Sequence, residues 1–121
     1  MSSRKPDKLQ SMLGLAARSR NLVSGETAVE TAVKSGKAKL VIVPLDASDN
    51  TVHDFTNMCE YRNVPFYRYS TKTELGHTIG KDDRSSLAVT DRGFAAAILK
   101  LLDGTCQIDG GSSNNGKNES K

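Results

Sequence analysis

The sequence predicts an α/β fold, with a central and mainly parallel sheet covered by helices on both faces. Apolar residues at helical spacing alternate along the chain with short strand-like runs, which is typical of strands joined by crossover helices. Residues 40–43 read Leu-Val-Ile-Val, and this continuously apolar, mostly β-branched run indicates a strand buried on both faces. The chain of 121 residues is long enough for a single core.

Two helices are predicted before that buried strand. The first covers about residues 7–18, and its apolar stripe consists of Leu9, Met12, Leu13 and Ala16. An extended piece over 21–24 leads to a second helix over about 25–35, which the hydroxyl of Ser24 is expected to cap. Gly36 follows this second helix, as is typical of helix C-termini. The apolar stripe of the second helix consists of Ala28, Val29, Ala32 and Val33.

A third helix and a second strand are predicted in the middle of the chain. The helix covers about residues 49–62, and its buried stripe consists of Val52, Phe55 and Cys59. Pro65 separates it from a strand over 66–69. Because side chains alternate along a strand, Phe66 and Arg68 are expected on one face and the two tyrosines on the other.

The last part of the chain carries a short helix, a strand and a final helix. Thr71 and Glu74 have the capping-box spacing at the start of the short helix, which Gly80 ends. A strand over 87–90 follows, and Asp91 is expected to cap the final helix. The buried stripe of that helix consists of Phe94, Ala97, Ile98, Leu101 and Leu102.

The predicted domain covers residues 7–103, and a flexible polar tail is predicted over residues 104–121. Residues 110–121 contain no apolar side chain, so burial cannot offset their ordering entropy. No window approaches the roughly 18–20 apolar residues that span a bilayer, and the N-terminus lacks the apolar segment of a secretory signal. Cys59 and Cys106 lack the spacing of a zinc site or a disulfide framework. We therefore expect a cytoplasmic protein with reduced thiols and no membrane contact.

Basic residues are concentrated at the start of the chain. Residues 1–40 carry eight basic and three acidic side chains, residues 41–103 carry seven and nine, and the tail carries two of each, which gives a net charge of +3. A basic segment on a small domain attracts an anionic partner. The alternative explanation is an ordinary solvated surface that is basic.

No catalytic or metal-binding motif is present in the sequence. His53 and His77 lack the neighbours of a catalytic triad or of a zinc-protease helix. Asp82 and Asp83 lack the further oxygen ligand expected of a calcium or magnesium loop. We therefore expect no catalytic residue, metal, cofactor or small-molecule substrate, and an enzyme or ligand-binding domain is the least supported alternative.

The start of the second helix is the strongest candidate for a binding surface. Gly25 allows close approach to the backbone, and the N–H groups of the first helical turn can hold a phosphate or a base edge. Glu26 repels phosphate but can accept a hydrogen bond from the amino group of guanine or cytosine. The basic residues that flank this helix start are Arg18, Arg20, Lys34 and Lys37.

Six segments resemble a known family, in the same order and with family-like spacing. They are LVSGETAV at 22–29, SGKAKLVIV at 35–43, DASDNT at 46–51, CEYRNVPF at 59–66, ELGHTIG at 74–80 and VTDRGFA at 89–95. Over about residues 8–103 the sequence resembles the YlxQ-type ribosomal-protein-like family of Gram-positive bacteria. That family belongs to the kink-turn-binding superfamily of the archaeal L7Ae and eukaryotic L30e ribosomal proteins.

The resemblance implies both a fold and a function. The implied fold is a three-layer α/β/α sandwich with a four-stranded mixed sheet, which amends the mainly parallel sheet expected from alternation alone. The implied function is non-catalytic binding of structured RNA, kink-turn-like and ribosomal, by a monomer. Such RNA is read by its shape and by the edges of unpaired or non-Watson–Crick bases.

The resemblance also implies which parts of the chain contact RNA. In the superfamily the first turns of the second helix read the RNA, and the loop before the last strand clamps the bulge of the kink-turn. A lysine near the start of the fourth helix contacts the RNA backbone. Gly25 and Lys72 match the superfamily's glycine and lysine, and Lys81 and Arg84 lie in the clamp loop. The residues expected to contact RNA are Arg20, Asn21, Gly25, Glu26, Thr27, Ala28, Thr31, Lys34, Lys37, Lys72, Lys81 and Arg84.

Three positions depart from the superfamily's pattern. Thr27 and Ala28 stand where the archaeal proteins have an Asn-Glu pair that reads guanines, and Thr31 stands where they have a lysine. Ala28 has no side-chain acceptor, so Glu26 is the residue able to replace that interaction. These departures favour the alternative of a protein-interaction module that kept the fold without specific kink-turn recognition. The low aromatic content of 5% favours shape reading over a stacking platform for single strands.

Overall fold

Helices and strands alternate along the computed structural model, which describes residues 8–106, the last four of them by their backbone only. The elements are α1 Lys8–Arg18, β1 Leu22–Ser24, α2 Glu26–Lys34, β2 Leu40–Val43, α3 Asp49–Arg62, β3 Phe66–Arg68, α4 Lys72–Thr78, β4 Leu87–Val89 and α5 Arg92–Cys106. Helix α5 therefore continues past the predicted domain end at residue 103. The remainder of the predicted tail, residues 107–121, lies outside the described residues.

The four strands form one mixed sheet in the order β1-β4-β2-β3. Only β2 and β3 pair in parallel, whereas β4 pairs antiparallel with both β1 and β2. The mainly parallel sheet expected from alternation is therefore wrong, and the four-stranded mixed sheet implied by the resemblance is confirmed. Strand direction reverses because α4 and the loop over 79–86 return the chain to the end of the sheet where β3 finishes.

Helices cover both faces of the sheet, and β2 contributes side chains to both cores. Leu40 and Ile42 pack with α1, α4 and α5, whereas Val41 and Val43 pack with α2 and α3. All four β2 side chains are buried, which confirms the prediction for the continuously apolar run. Phe66 packs in the α2–α3 layer and Tyr67 in the opposite layer, as the alternation of side chains predicts.

The helix caps agree with most of the predictions. Thr71 accepts a hydrogen bond from the backbone N of Glu74 at 3.1 Å, and Asp91 accepts one from the backbone N of Phe94 at 2.8 Å. The reciprocal half of the capping box is absent, because the Glu74 carboxylate accepts from the Ser70 hydroxyl at 2.6 Å instead. Gly36 has a φ of 81° directly after the C-cap of α2, as expected of a glycine at that position.

Two predictions for α2 are wrong. Its N-cap is Gly25, with φ 95° and ψ 149°, whereas Ser24 is the last residue of β1. Ala28 is exposed, so the buried stripe of α2 consists of Val29, Ala32 and Val33. The Ser24 hydroxyl instead accepts a hydrogen bond from the distant Arg84.

The strand register defines two ends of the molecule. Ser24 and Ile42 both pair with Leu87, so β1 and β2 finish where β4 begins, and β3 runs parallel to β2. We call this the upper end, made of residues 24–28, 43–51, 68–74 and 79–87. The opposite end, where β1, β2 and β3 begin, is the lower end, made of residues 18–22, 34–40, 60–66 and 89–92. Among the described helices, none has the length and apolar character required to cross a membrane.

Candidate nucleic-acid interface

The first turn of α2 lies against the loop that precedes β4. The backbone N of Gly25 donates to the carbonyl oxygen of Ser86 at 3.0 Å, which joins the helix start to the end of that loop. No side chain caps α2 at its N-terminus. The next three side chains, Glu26, Thr27 and Ala28, are exposed. The first turn therefore presents uncapped backbone N–H groups beside exposed side chains, an arrangement that can hold an anion or a base edge.

Arg84 connects this loop to two other elements of the upper end. Its Nε donates to the Ser24 hydroxyl at 3.0 Å, and its Nη1 donates to the Asp83 carbonyl at 3.1 Å. Its backbone N donates to the Lys72 carbonyl oxygen at 3.1 Å. Arg84 therefore links the start of α4 to the last residue of β1, directly before α2.

The loop over 79–86 also depends on Gly76, which lies inside α4. A Cβ at Gly76 would collide with the carbonyl oxygen of Asp82, so only glycine allows this approach of loop to helix. The backbone N of Lys81 donates to the Gly76 carbonyl at 2.8 Å. Gly76 is not among the predicted site residues, although a glycine inside a helical pattern is itself a sign of close backbone approach.

Glu26 is oriented by a residue of α3. Its Oε2 accepts a hydrogen bond from the Thr51 hydroxyl at 2.6 Å, and that hydroxyl accepts from Ser48 Oγ at 3.0 Å. Thr51 is only 8% exposed, so the hydrogen bond is partly shielded from water. The Glu26 carboxylate is thus held in one place beside the first turn of α2, as an acceptor of base amino groups requires. No local motif identifies Thr51, because the two residues are 25 positions apart.

A groove between α2 and α3 extends from Glu26. It has a volume of about 240 Å³, and its acidic lining residues are Glu26, Glu30 and Asp54. This surface therefore repels phosphate.

Four of the predicted contact residues lie at the other end of the molecule. Arg20 and Asn21 precede β1, and the Asn21 carbonyl accepts from the backbone N of Thr90 at 2.9 Å, beside the end of β4. Lys34 and Lys37 lie at and beyond the C-terminus of α2. Thr31 is exposed between the two ends. The structure therefore places Gly25, Glu26, Thr27, Ala28, Lys72, Lys81 and Arg84 at the upper end, apart from the four residues of the lower end.

The two ends carry opposite net charge. The upper end has four basic and six acidic side chains, net −2. The lower end has seven basic and two acidic side chains, net +5. Five basic residues of the N-terminal part of the chain thus do not surround the start of α2. They lie instead at the lower end, and they are Arg18, Arg20, Lys34, Lys37 and Lys39.

Cys59 is a buried structural residue of α3. Its thiol is free, and burial raises its pKa to about 12, so it stays protonated near neutral pH. Within residues 8–102, whose side chains the structure describes, His, Cys, Asp and Glu form no group of three or more that could hold a metal ion. The side chain of Cys106, the other predicted thiol, lies outside the described residues.

The chain is similar to several known proteins. The model of the ribosomal protein L7Ae/L30e/S12e/Gadd45 family matches residues 7–99. The RNA-binding protein YlxQ of Bacillus subtilis (strain 168) is 45% identical over 92 residues, which cover 76% of this chain and 92% of the relative. The RNA-binding protein YlxQ of Enterococcus faecium is 32% identical over 104 residues, which cover 86% of this chain and 100% of the relative.

Solved structures show the same fold. A protein with unknown function from Bacillus halodurans superposes with a TM-score of 0.79 at 37% identity, covering 81% of this chain and 99% of that one. The Giardia lamblia 15.5kD RNA binding protein superposes with a TM-score of 0.69 at 19% identity, covering 86% of this chain and 92% of that one. The second likeness concerns the fold alone.

Proposed function

The chain belongs to the ribosomal protein L7Ae/L30e/S12e/Gadd45 family, and on that basis we propose that it is a non-catalytic RNA-binding protein. Two relatives that the chain matches over most of their length are named RNA-binding proteins. The upper end supports this function, because it combines uncapped helix N–H groups with cations held nearby. Its partner is structured RNA, with a kink-turn-like bend and belonging to the ribosome, and the protein acts as a monomer in the cytoplasm.

The observation that carries the kink-turn proposal is the junction between α2 and the loop over 79–86. The Gly25–Ser86 hydrogen bond and the Arg84–Ser24 hydrogen bond hold the helix start and the loop in one arrangement. A protein distinguishes a bent RNA from a straight duplex when the groups that contact the RNA keep fixed positions. A surface that rearranged could fit both RNAs and would not discriminate between them. Glu26, held by Thr51, supplies the acceptor that Ala28 lacks.

The direct experiment is a gel shift that compares a kink-turn RNA with a simple duplex of the same length, at two salt concentrations. We expect tighter binding of the kink-turn. Arg84→Ala should weaken it about 10- to 150-fold, because hydrogen bonds to a charged group contribute about 1.5–3 kcal/mol. Lys100→Ala is the matched control, since Lys100 is an exposed cation midway along α5. Equal affinity for the two RNAs would contradict kink-turn recognition, and binding of neither would contradict RNA recognition.

The acidic surface of the upper end favours a second candidate, a protein-interaction module. The groove beside Glu26 carries three carboxylates, and Ala28 exposes a methyl group at the position expected to read a base. Charge reversal at Arg20, Lys34, Lys37 and Lys72 tests whether these basic residues contribute to RNA binding. RNA affinity that survives all four changes unaltered would mean that they are not the RNA site, whereas absence of RNA binding by the parent protein would favour the interaction module.

A further inference from the structure

The lower end contains a groove that the proposed kink-turn surface does not use. It lies between the segment that precedes β2 and the segment that follows α3, and its volume is about 360 Å³. Its apolar lining includes Val33, Ala38 and Pro65, and its cationic lining is Lys39 and Arg62. The volume falls within the roughly 300–1,000 Å³ of ligand sites. None of its lining residues belongs to the upper end.

The charge around this groove is strongly positive. Lys37 is exposed beside it, between Gly36 and Ala38 of its lining. The acidic side chains of the lower end are Glu60 and Asp91, and Asp91 is engaged in capping α5. Lys39 donates to the Gly36 carbonyl at 3.2 Å, a hydrogen bond that leaves its charge unneutralised. A polyanion therefore meets several cations here with little competition from carboxylates.

Tyr61 gives this end a feature that points to the class of polyanion. Its side chain is 83% exposed, and the Arg62 guanidinium lies 5.7 Å from the ring centroid. Arg62 also lines the groove, so the ring and the groove are adjacent. An aromatic ring beside a cationic groove is the combination that binds single-stranded nucleic acid, because an unpaired base stacks on the ring while cations neutralise the phosphates.

We propose that the lower end is a second RNA-contact surface, which binds a single-stranded segment with one base stacked on Tyr61 and its phosphates near Lys37, Lys39 and Arg62. The inference rests on the proposed function only in taking RNA as the ligand. A duplex does not suit this surface, because its bases are not free to stack on a side chain. A structured RNA with a single-stranded flank would engage both ends, and binding at one end would raise the effective concentration for the other.

The test measures fluorescence anisotropy of a labelled oligouridine of roughly ten nucleotides, a length within the usual range of single-strand site sizes. Tyr61→Ala should weaken binding about 5- to 150-fold, the range typical of alanine substitution at one stacked base. Tyr61→Phe keeps the ring and should bind like the parent protein. Lys37→Glu should weaken binding and flatten the dependence of log K on log salt by about 0.7 for each phosphate that the protein no longer neutralises.

Lys100→Glu is the control for charge, since Lys100 is exposed on α5 outside both proposed surfaces. It should leave oligouridine binding unchanged, and circular dichroism checks that every variant is folded. Absence of oligouridine binding, or equal binding by Tyr61→Ala and the parent, would overturn the proposal. Displacement of the oligouridine by polyglutamate with no effect of either Tyr61 variant would also overturn it, because that result would indicate an acidic protein partner.

Failure of this proposal is distinguishable from failure of the kink-turn function. Kink-turn preference depends on upper-end variants and is measured on an RNA without a single-stranded flank. Oligouridine binding that depends on Tyr61 would stand even if kink-turn and duplex bound equally. Conversely, kink-turn preference with no oligouridine binding would support the proposed function of the upper end and contradict the proposed site at the lower end.

Discussion

The upper and lower ends of the molecule are built in different ways. The upper end is organised by hydrogen bonds between distant parts of the chain, such as those from Arg84 to Ser24 and from Thr51 to Glu26. The net charge of the upper end is −2. At the lower end, the hydrogen bonds of the Lys34 and Lys39 side chains go to residues at most four positions away, and the net charge is +5. At the upper end, polar side chains are thus held by long-range hydrogen bonds and there is little positive charge to attract RNA, whereas the lower end has positive charge on side chains with local hydrogen bonds.

This difference corresponds to the two parts of RNA recognition, which are affinity and discrimination. Interactions with phosphates supply affinity and orientation without sequence information, whereas positioned groups at base edges and bends supply discrimination. Under the two proposals, the lower end provides the first and the upper end provides the second. Variants that loosen the upper end should therefore differ in their effects from variants that change charge at the lower end.

The largest expected effect comes from Gly76→Ala. The new Cβ would collide with the Asp82 backbone, so the loop over 79–86 must move. We expect the free energy of unfolding to fall by about 1–3 kcal/mol, as for other overpacked sites. Urea unfolding measures this change. The same variant should lose kink-turn preference, because Arg84 and Ser86 move with the loop, while oligouridine binding at the lower end persists.

Gly93→Ala is the matched control, directly after the lower-end segment 89–92. Gly93 is exposed in the first turn of α5, and the nearest neighbour of its added Cβ is Oδ2 of Asp91, the cap of α5, at 3.1 Å. A small shift of this side chain costs less than moving a backbone carbonyl, and alanine is favoured over glycine in a helix by about 1 kcal/mol. The protein should therefore be unchanged or slightly stabilised. An equal loss of stability in both variants would contradict the assigned role of Gly76.

A double-mutant cycle between Ser24 and Arg84 tests the polar connection of the upper end. Ser24→Ala, Arg84→Ala and the double variant should give a coupling free energy of about 0.5–1.5 kcal/mol, because the hydrogen bond is partly buried. Urea unfolding of all four proteins supplies the values. The pair Ser24→Ala and Lys100→Ala should show no coupling. A Ser24–Arg84 coupling near zero would mean that Arg84 does not hold the loop to β1.

The sequence predicts the elements and the cores well, because both follow from the local spacing of apolar residues. The β2 strand, the N-caps Thr71 and Asp91, and the two-sided burial are confirmed. Strand direction does not follow from local spacing, so only the resemblance to a known family predicts the mixed sheet.

The organisation of the two ends does not follow from local patterns either. The sequence predicts that Ser24 caps α2, yet its hydroxyl accepts a hydrogen bond from Arg84, 60 positions away. Closeness in sequence associates Arg20, Lys34 and Lys37 with Gly25, whereas the register places them at the opposite end. Which residues share an end depends on how the strands pair, and pairing is a property of the whole chain.

The smallest expected effect concerns the ion pair between Lys34 and Glu30, whose atoms lie 2.7 Å apart with 56% and 46% of the side chains exposed. Such a pair contributes about 0.3–0.5 kcal/mol, so Glu30→Gln and Lys34→Gln should lower stability by the same small amount. Their effects on oligouridine binding should be opposite. Glu30→Gln frees a cation at the lower end and should raise affinity by about twofold, whereas Lys34→Gln removes one and should lower it similarly.

The comparison of these two variants isolates the sign of the charge, because both break the same ion pair. Anisotropy titrations at low salt measure the difference in their oligouridine affinities. That difference should vanish at high salt if the lower end attracts RNA electrostatically, since salt screens exposed charges. Equal affinities at low salt would mean that charge at this end does not contribute to RNA binding.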